Sequence, residues 1–168
     1  MQIKVTHGEY IGRRYISLNR KYSILYLQNE EFRVRIQTLI VDPSRQLAMN
    51  LSGCNIKDAS VLSGVHTLNL SGCNITDVSS LGGVTNLNLS GCYLVTDVSA
   101  LSRVHTLNLS HCTRVTNVSS LGGVTNLNLS GCYLVKDVSD LGRVNTLNLS
   151  HCPNIKDASV LSGVHTLN

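Results

Sequence analysis

The chain has 168 residues, enough for one domain with a small appendage; 42% are hydrophobic, only 4% are aromatic and none is Trp. With a single Phe, its core must be built from Leu, Val and Ile, which suits thin repeated layers better than one bulky centre. Charged residues make up 14%, against about 25% in ordinary domains, and the lack of an apolar run of about 18 residues excludes a membrane-spanning helix.

The net charge of +4 is unevenly placed. Residues 1–45 hold eight Lys or Arg against four acids, while the remainder holds six of each. No aromatic-basic motif accompanies the excess, so it reads as a solvated helical face and nucleic acid is disfavoured as a partner. The opening "MQIKVTHGEYIGRR" has no apolar centre of the kind a signal peptide needs. The expectation is therefore a cytoplasmic chain whose six cysteines are reduced.

Residues 10–40 read as helices. Leu18, Tyr22 and Leu25 recur at helical spacing. A second helix opens with Asn29 as its cap and Glu30 and Glu31 in the first turn, with Phe32, Ile36, Leu39 and Ile40 on one face. Asp42-Pro43 ends it. The division is a helical N-terminal cap over residues 1–45 and a repeat array over 46–168. Phe32 and Ile36 are expected to cover the first coil near Met49 and Leu51, because a solenoid needs its open end closed.

From residue 46 the chain repeats. Cysteines stand at 54, 73, 92, 112, 132 and 152, in frames such as "VHTLNLSGC" from Val65, "VTNLNLSGC" from Val84 and "VHTLNLSHC" from Val104. Six copies are complete and a seventh, "VHTLN", stops partway. The stretch "SSLGGVTNLNLSGCYLV" occurs unchanged at Ser79 and at Ser119, so the array grew in units of two coils. The frame resembles the leucine-rich repeat, L-x-x-L-x-L-x-x-N/C-x-L, with Cys92 in the N/C place. The fold class is then an α/β solenoid: a curved parallel sheet on the concave face, 3₁₀ and loop segments on the convex face, and the helical cap. The "TDVSSLGG" segments resemble the internalin-type consensus, in which Asp77, Asp97 and Asp137, with Asn117 in the intervening coil, cap a short turn that points Val78 and Leu81 inward.

The outward strand positions form columns on the concave face, the candidate surface for a partner. One holds Asn69, Asn88, Asn108, Asn128 and Asn148; the next holds Ser90, Ser110 and Ser130; a third alternates Thr67, Asn86, Thr106 and Asn126. At a strand spacing of about 4.8 Å the Asn amides are placed to hydrogen-bond to one another along the column. Tyr93 and Tyr133, with Arg114 between them, form either a binding strip at the edge or loop residues packed on neighbours. His111 and His151 replace a Gly of the other coils and are further edge contacts.

Six cysteines and six histidines raise a metal site, but each cysteine is alone in its coil, whereas structural zinc needs clustered ligands. A small buried thiol accounts for all six. With no nucleophile–base–acid spacing and no phosphate-cradling motif, the sequence indicates no enzyme and no cofactor.

Two further resemblances bear on function. In "LNRKYSILYLQNEEFRVRI", Leu18, Lys21, Tyr22, Leu25, Asn29, Phe32 and Ile36 resemble the second half of an F-box, although the usual Leu-Pro-x-Glu opening is absent. That resemblance implies docking of the N-terminal helices on a ubiquitin-ligase adaptor while the repeats hold a substrate protein. The near-identical repeats behind a truncated F-box-like head also resemble proteins of large DNA viruses of amoebae, which implies a host cytoplasm. The alternative function is structural, an Asn/Ser/Thr ladder on a glycan or an ice-like periodic surface. Finally, Leu161, Val164 and Leu167 have no following coil, so their apolar edges are expected to be exposed and to drive end-to-end self-association.

Overall fold

The repeat frame folds as its period-two pattern demands. The computed structural model describes residues 6–10, 13–39, 45–56 and 58–168. In the second to sixth coils a three-residue strand buries its central Leu and leaves the two polar neighbours half-exposed: β4 (Thr67–Asn69), β5 (Asn86–Asn88), β6 (Thr106–Asn108), β7 (Asn126–Asn128) and β8 (Thr146–Asn148). With β3 (Arg45–Asn50) before them and β9 (Thr166–Leu167) after, these strands are parallel and in strict register. Leu68 lies opposite Leu87, Leu87 opposite Leu107, and Leu107 opposite Leu127. The ladder runs past the short strands, with Leu70 N–H donating to Asn88 O and Gly72 N–H to Ser90 O, both at 2.8 Å.

The chain returns along the convex side through 3₁₀ turns at Ser60–Leu62, Ser79–Leu81, Ser99–Leu101, Ser119–Gly123, Ser139–Leu141 and Ser159–Gly163. A carboxylate or amide two residues before each opening Ser accepts its N–H, as at Asp77–Ser79 (2.8 Å) and Asn117–Ser119 (3.0 Å). The backbone bond and then the Ser hydroxyl hold Asp58, Asp77, Asp97 and Asp137 below the usual carboxylate range. At Asp157 the hydroxyl has the larger share. Val78 and Leu81 turn inward as expected, 2% and 0% exposed. Each inner coil thus buries several Val and Leu side chains worth roughly 1.5–3 kcal/mol apiece, and only its neighbours make that burial possible.

Two helices cap the first coil, α1 (Arg20–Gln28) and α2 (Glu30–Leu39). Asn19 caps α1 by accepting from Tyr22 N, and Asn29 caps α2 by accepting from Phe32 N at 2.8 Å. Phe32 stacks on Tyr22 with ring centroids 6.1 Å apart. Arg33 Nη1 donates to the carbonyls of Tyr26 and Leu27, which α1 itself leaves without partners at its C-terminus. Phe32 and Ile36 are buried and join one continuous core with Met49 and Leu51. α1 lies against β3, and α2 packs on α1.

The helices start later than the sequence pattern indicates. Tyr10 and residues 13–18 are extended, not helical: β1 (Thr6–Tyr10) and β2 (Arg13–Leu18) pair antiparallel, and β2 pairs in parallel with β3 from Arg14↔Arg45 to Leu18↔Met49. The two helices are therefore a crossover between parallel strands, and cap and array share one nine-stranded sheet. The reason is local. Ile16 and Leu18 are buried with Ser17 exposed between them, a period of two within a window too short to stand out beside the helical spacing that follows. Ile40, Asp42 and Pro43 lie outside the described residues.

At the other end, Leu161 is 3% exposed and Val164 is half-buried against the core, contrary to the expectation that they are bare. Leu167, on β9, is 47% exposed and Val160 is 42% exposed.

Candidate functional site

The concave columns are where the sequence placed them, but their hydrogen bonding differs. Each Asn of the central column turns back on its own coil: the Oδ1 atoms of Asn50, Asn69, Asn88, Asn108, Asn128 and Asn148 accept from the N–H of the Ser two residues later at 2.9–3.1 Å. The expected Asn-to-Asn ladder is not formed; the bond each amide oxygen makes is local, to the Ser N–H of its own coil. Only the oxygen accepts an N–H bond, so each amide is held one way round and its Nδ2 group becomes the outward donor. Among the described residues, no Nδ2 of this column donates to another coil.

The neighbouring column pairs coils instead. Asn86 Nδ2 donates to Thr67 Oγ1 at 3.3 Å and Asn126 Nδ2 to Thr106 Oγ1 at 3.4 Å. His66 Nδ1 lies 3.0 Å from the same Thr67 hydroxyl. Thr67, Asn69, Asn86, Asn88, Thr106 and Asn108 surround a shallow depression of about 210 Å³ floored by Leu68 and Leu87. Ser90 and Ser130 stay half-exposed beside it, while Ser110 is 8% exposed. A larger hollow, about 410 Å³, lies on the convex side between Thr116–Ser119 and Asp137–Leu141, where Asn117 and Asp137 are already engaged with Ser119 and Ser139.

The turns that follow the strands form a separate edge. The residue before each cysteine is left-handed: Gly53, Gly72, Gly91 and Gly131 have φ of 64–71°, and His111 and His151 take the same conformation at 58° and 59°. Non-Gly residues adopt it at a cost of roughly 1–2 kcal/mol. The His111 ring occupies the space beside the next coil's turn, since a Cβ built on Gly131 would stand 2.5 Å from His111 Nδ1. Tyr93, Arg114, Tyr133, His111 and His151 are all exposed along this edge. Sequence spacing flagged these residues but not the strain at the two histidines, for which only the Gly-to-His replacement was a signal.

Between face and edge run the thiols. Cys73, Cys92, Cys112 and Cys132 are buried, and each Sγ donates to a Leu carbonyl of the preceding coil at 3.1 Å. Cys152 makes the same bond to Leu129 O but is half-buried; Cys54, also half-buried, has only Ser52 O at 3.9 Å. Burial raises the Cys92 thiol to about 11 and those of Cys112 and Cys132 to about 12. A thiol reagent on the folded protein is expected to modify Cys54 and Cys152 first and the four inner cysteines only on unfolding. Fast reaction of Cys112, read by peptide mass, refutes that order. Among the described residues no three His, Cys, Asp or Glu side chains come together as metal ligands do.

In-register parallel strands, one per coil, with 3₁₀ returns and a buried cysteine column decide the architecture. The fold is that of a leucine-rich-repeat solenoid. The leucine-rich repeat family matches residues 65–79. The solenoid is similar to the crystal structure of an internalin, InlF, of Listeria monocytogenes, with 21% identity and a TM-score of 0.64 over 88% of this chain and 47% of that one. It thus spans about half of that internalin's length. Internalin C2 of the same organism matches at 21% identity and a TM-score of 0.48 over 72% of this chain and 70% of that one. The functional domain of InlJ, described as including a cysteine ladder, matches at 18% and 0.45 over 72% of this chain and 33% of that one. No curated protein matches the chain. Among the described residues no helix is long and apolar enough to cross a membrane.

Proposed function

We propose that the solenoid is a protein-binding module that holds its partner along the concave face. The carrying observation is the central Asn column, whose amides are oriented before any ligand arrives. Each is fixed by its Ser N–H at 2.9–3.0 Å from Asn69 to Asn148 and presents Nδ2 outward, one donor per coil. Donors ordered in advance lose little freedom on binding, which is where flexible surfaces forfeit affinity. Among the described residues no three metal-ligating side chains come together, and the reading is non-enzymatic.

A photo-crosslinker at Thr106 tests it, with one at Ser99 on the convex side as reference. Protein adducts are expected from Thr106 in excess of Ser99; equal labelling from both overturns the concave assignment. The finer reading is a substrate receptor for ubiquitin ligation, resting on the F-box-like segment. Leu18, Phe32 and Ile36 of that segment are buried in the cap core, which leaves the outer side of α2, with Val34 50% and Leu39 42% exposed, as the surface for an adaptor. Recovery of adaptor and cullin peptides with the full chain, lost on Val34→Asp, supports it.

A second reading uses the same donors. Their even spacing, about 4.8 Å per coil, suits an acceptor-rich periodic surface such as a glycan. Retention on a glycan array without protein adducts at Thr106 favours it.

A further inference from the structure

We infer that the turn edge supplies the strongest contacts of this protein-binding module, and that it takes an extended acidic peptide in a polyproline-II-like conformation. The inference rests on the protein-binding reading above but places the energy elsewhere. The concave columns contain only Asn, Ser and Thr, whereas residues that dominate protein interfaces are enriched in Tyr, Trp and Arg. Those types stand together on the edge: Tyr93 is 58% and Tyr133 45% exposed, with Arg114 exposed in the coil between.

Charge is segregated in the same sense. Every carboxylate of the array lies on the convex 3₁₀ side, at Asp58, Asp77, Asp97, Asp137, Asp140 and Asp157, and none falls in the turns around the six cysteines. The edge holds Arg114, and Arg20 of α1 reaches its near end, its Nη2 4.0 Å from where a Gly53 Cβ would be. A partner segment rich in Asp or Glu meets cations here and finds no like charge.

Geometry selects the backbone conformation. Tyr93 and Tyr133 occupy equivalent places two coils apart, about 10 Å along the edge at ordinary strand spacing. A polyproline-II helix repeats its face every three residues, about 9 Å, so positions i and i+3 meet the two rings while an acidic residue between them reaches Arg114. A β-strand repeats its face at about 7 Å and falls out of step. The turns beneath carry these side chains: a Cβ at Gly91 would stand 3.6 Å from the Tyr93 hydroxyl, so this ring leans over its own turn, and the His111 ring lies over Gly131. His111, in the coil between the two rings, and His151, in the coil after Tyr133, take a left-handed conformation that glycine adopts without strain, which marks them as side chains kept for contact.

The probe is a synthetic peptide of repeated Pro-Glu-Glu triplets, titrated against the full chain. Tyr93→Ala and Tyr133→Ala are each expected to weaken binding about tenfold, Arg114→Glu more, and Tyr133→Phe little. Because these side chains are exposed, unchanged melting curves are expected to verify the fold. Equal binding of a Pro-Lys-Lys peptide, indifference to the Tyr and Arg114 variants, or no binding of the acidic peptide overturns the edge assignment. Loss of partner crosslinking at Thr106 sinks the concave-face reading separately. Peptide binding abolished by Thr106→Arg but not by Arg114→Glu keeps the protein-binding reading, moves the peptide to the concave face and refutes the edge.

Discussion

Phe32→Ala is expected to release the cap and open the first coils while the distant coils stay folded. Phe32 is 6% exposed, stacks on Tyr22, and its own N–H is held by the Asn29 cap, so truncation leaves a void between α1 and α2. Removing a buried Phe costs roughly 3–5 kcal/mol. In a globular core that loss spreads to the whole domain. Here contacts run only between neighbouring coils, so stability is a sum of local terms and the damage stays local. Hydrogen exchange should show β3 and β4 losing protection while β6 to β8 keep it. Val34→Ala, 50% exposed on the same helix, is the silent control. Simultaneous loss of protection in every strand contradicts the sum-of-neighbours picture.

The array was legible because its signal is repeated. One coil of alternating Leu and polar residues is ambiguous, but register-perfect copies force parallel strands at one per coil, and Leu68, Leu87, Leu107 and Leu127 align as the frame requires. The Asp and Asn caps were legible for the same reason. The β1–β2 pair was not, since Ile16 and Leu18 give only one alternation and the pairing that fixes them comes from β3, distant in sequence. The candidate face was legible as columns but not as hydrogen bonds. Sequence places Asn next to Asn across coils; it does not show that each amide oxygen accepts from the Ser N–H two residues on.

The packing of His111 on the turn of the next coil sets up the second large effect. Gly131→Ala is expected to destabilise by about 2–4 kcal/mol, from two separable causes. Its φ of 71° is costly for any residue with a Cβ, and that Cβ would stand 2.5 Å from Nδ1 of His111 in the preceding coil. Gly91 shares the first cause at φ 68° but not the second, its nearest contact being 3.6 Å; Gly64 has neither, with nothing within 4 Å. Alanine at Gly64, Gly91 and Gly131 should therefore give a rising series in urea denaturation, near zero, then about 1–2 kcal/mol, then the full loss. His111→Gly alone is expected to stabilise by about 1 kcal/mol by relieving its own left-handed turn. In the Gly131→Ala background it should recover more than that, leaving, relative to His111→Gly alone, a cost equal to that of Gly91→Ala. The His111 ring thus favours a glycine at position 131 of the next coil. Strict additivity of the two substitutions shows that the ring swings clear at no cost, and the pairing then has no packing basis at this edge.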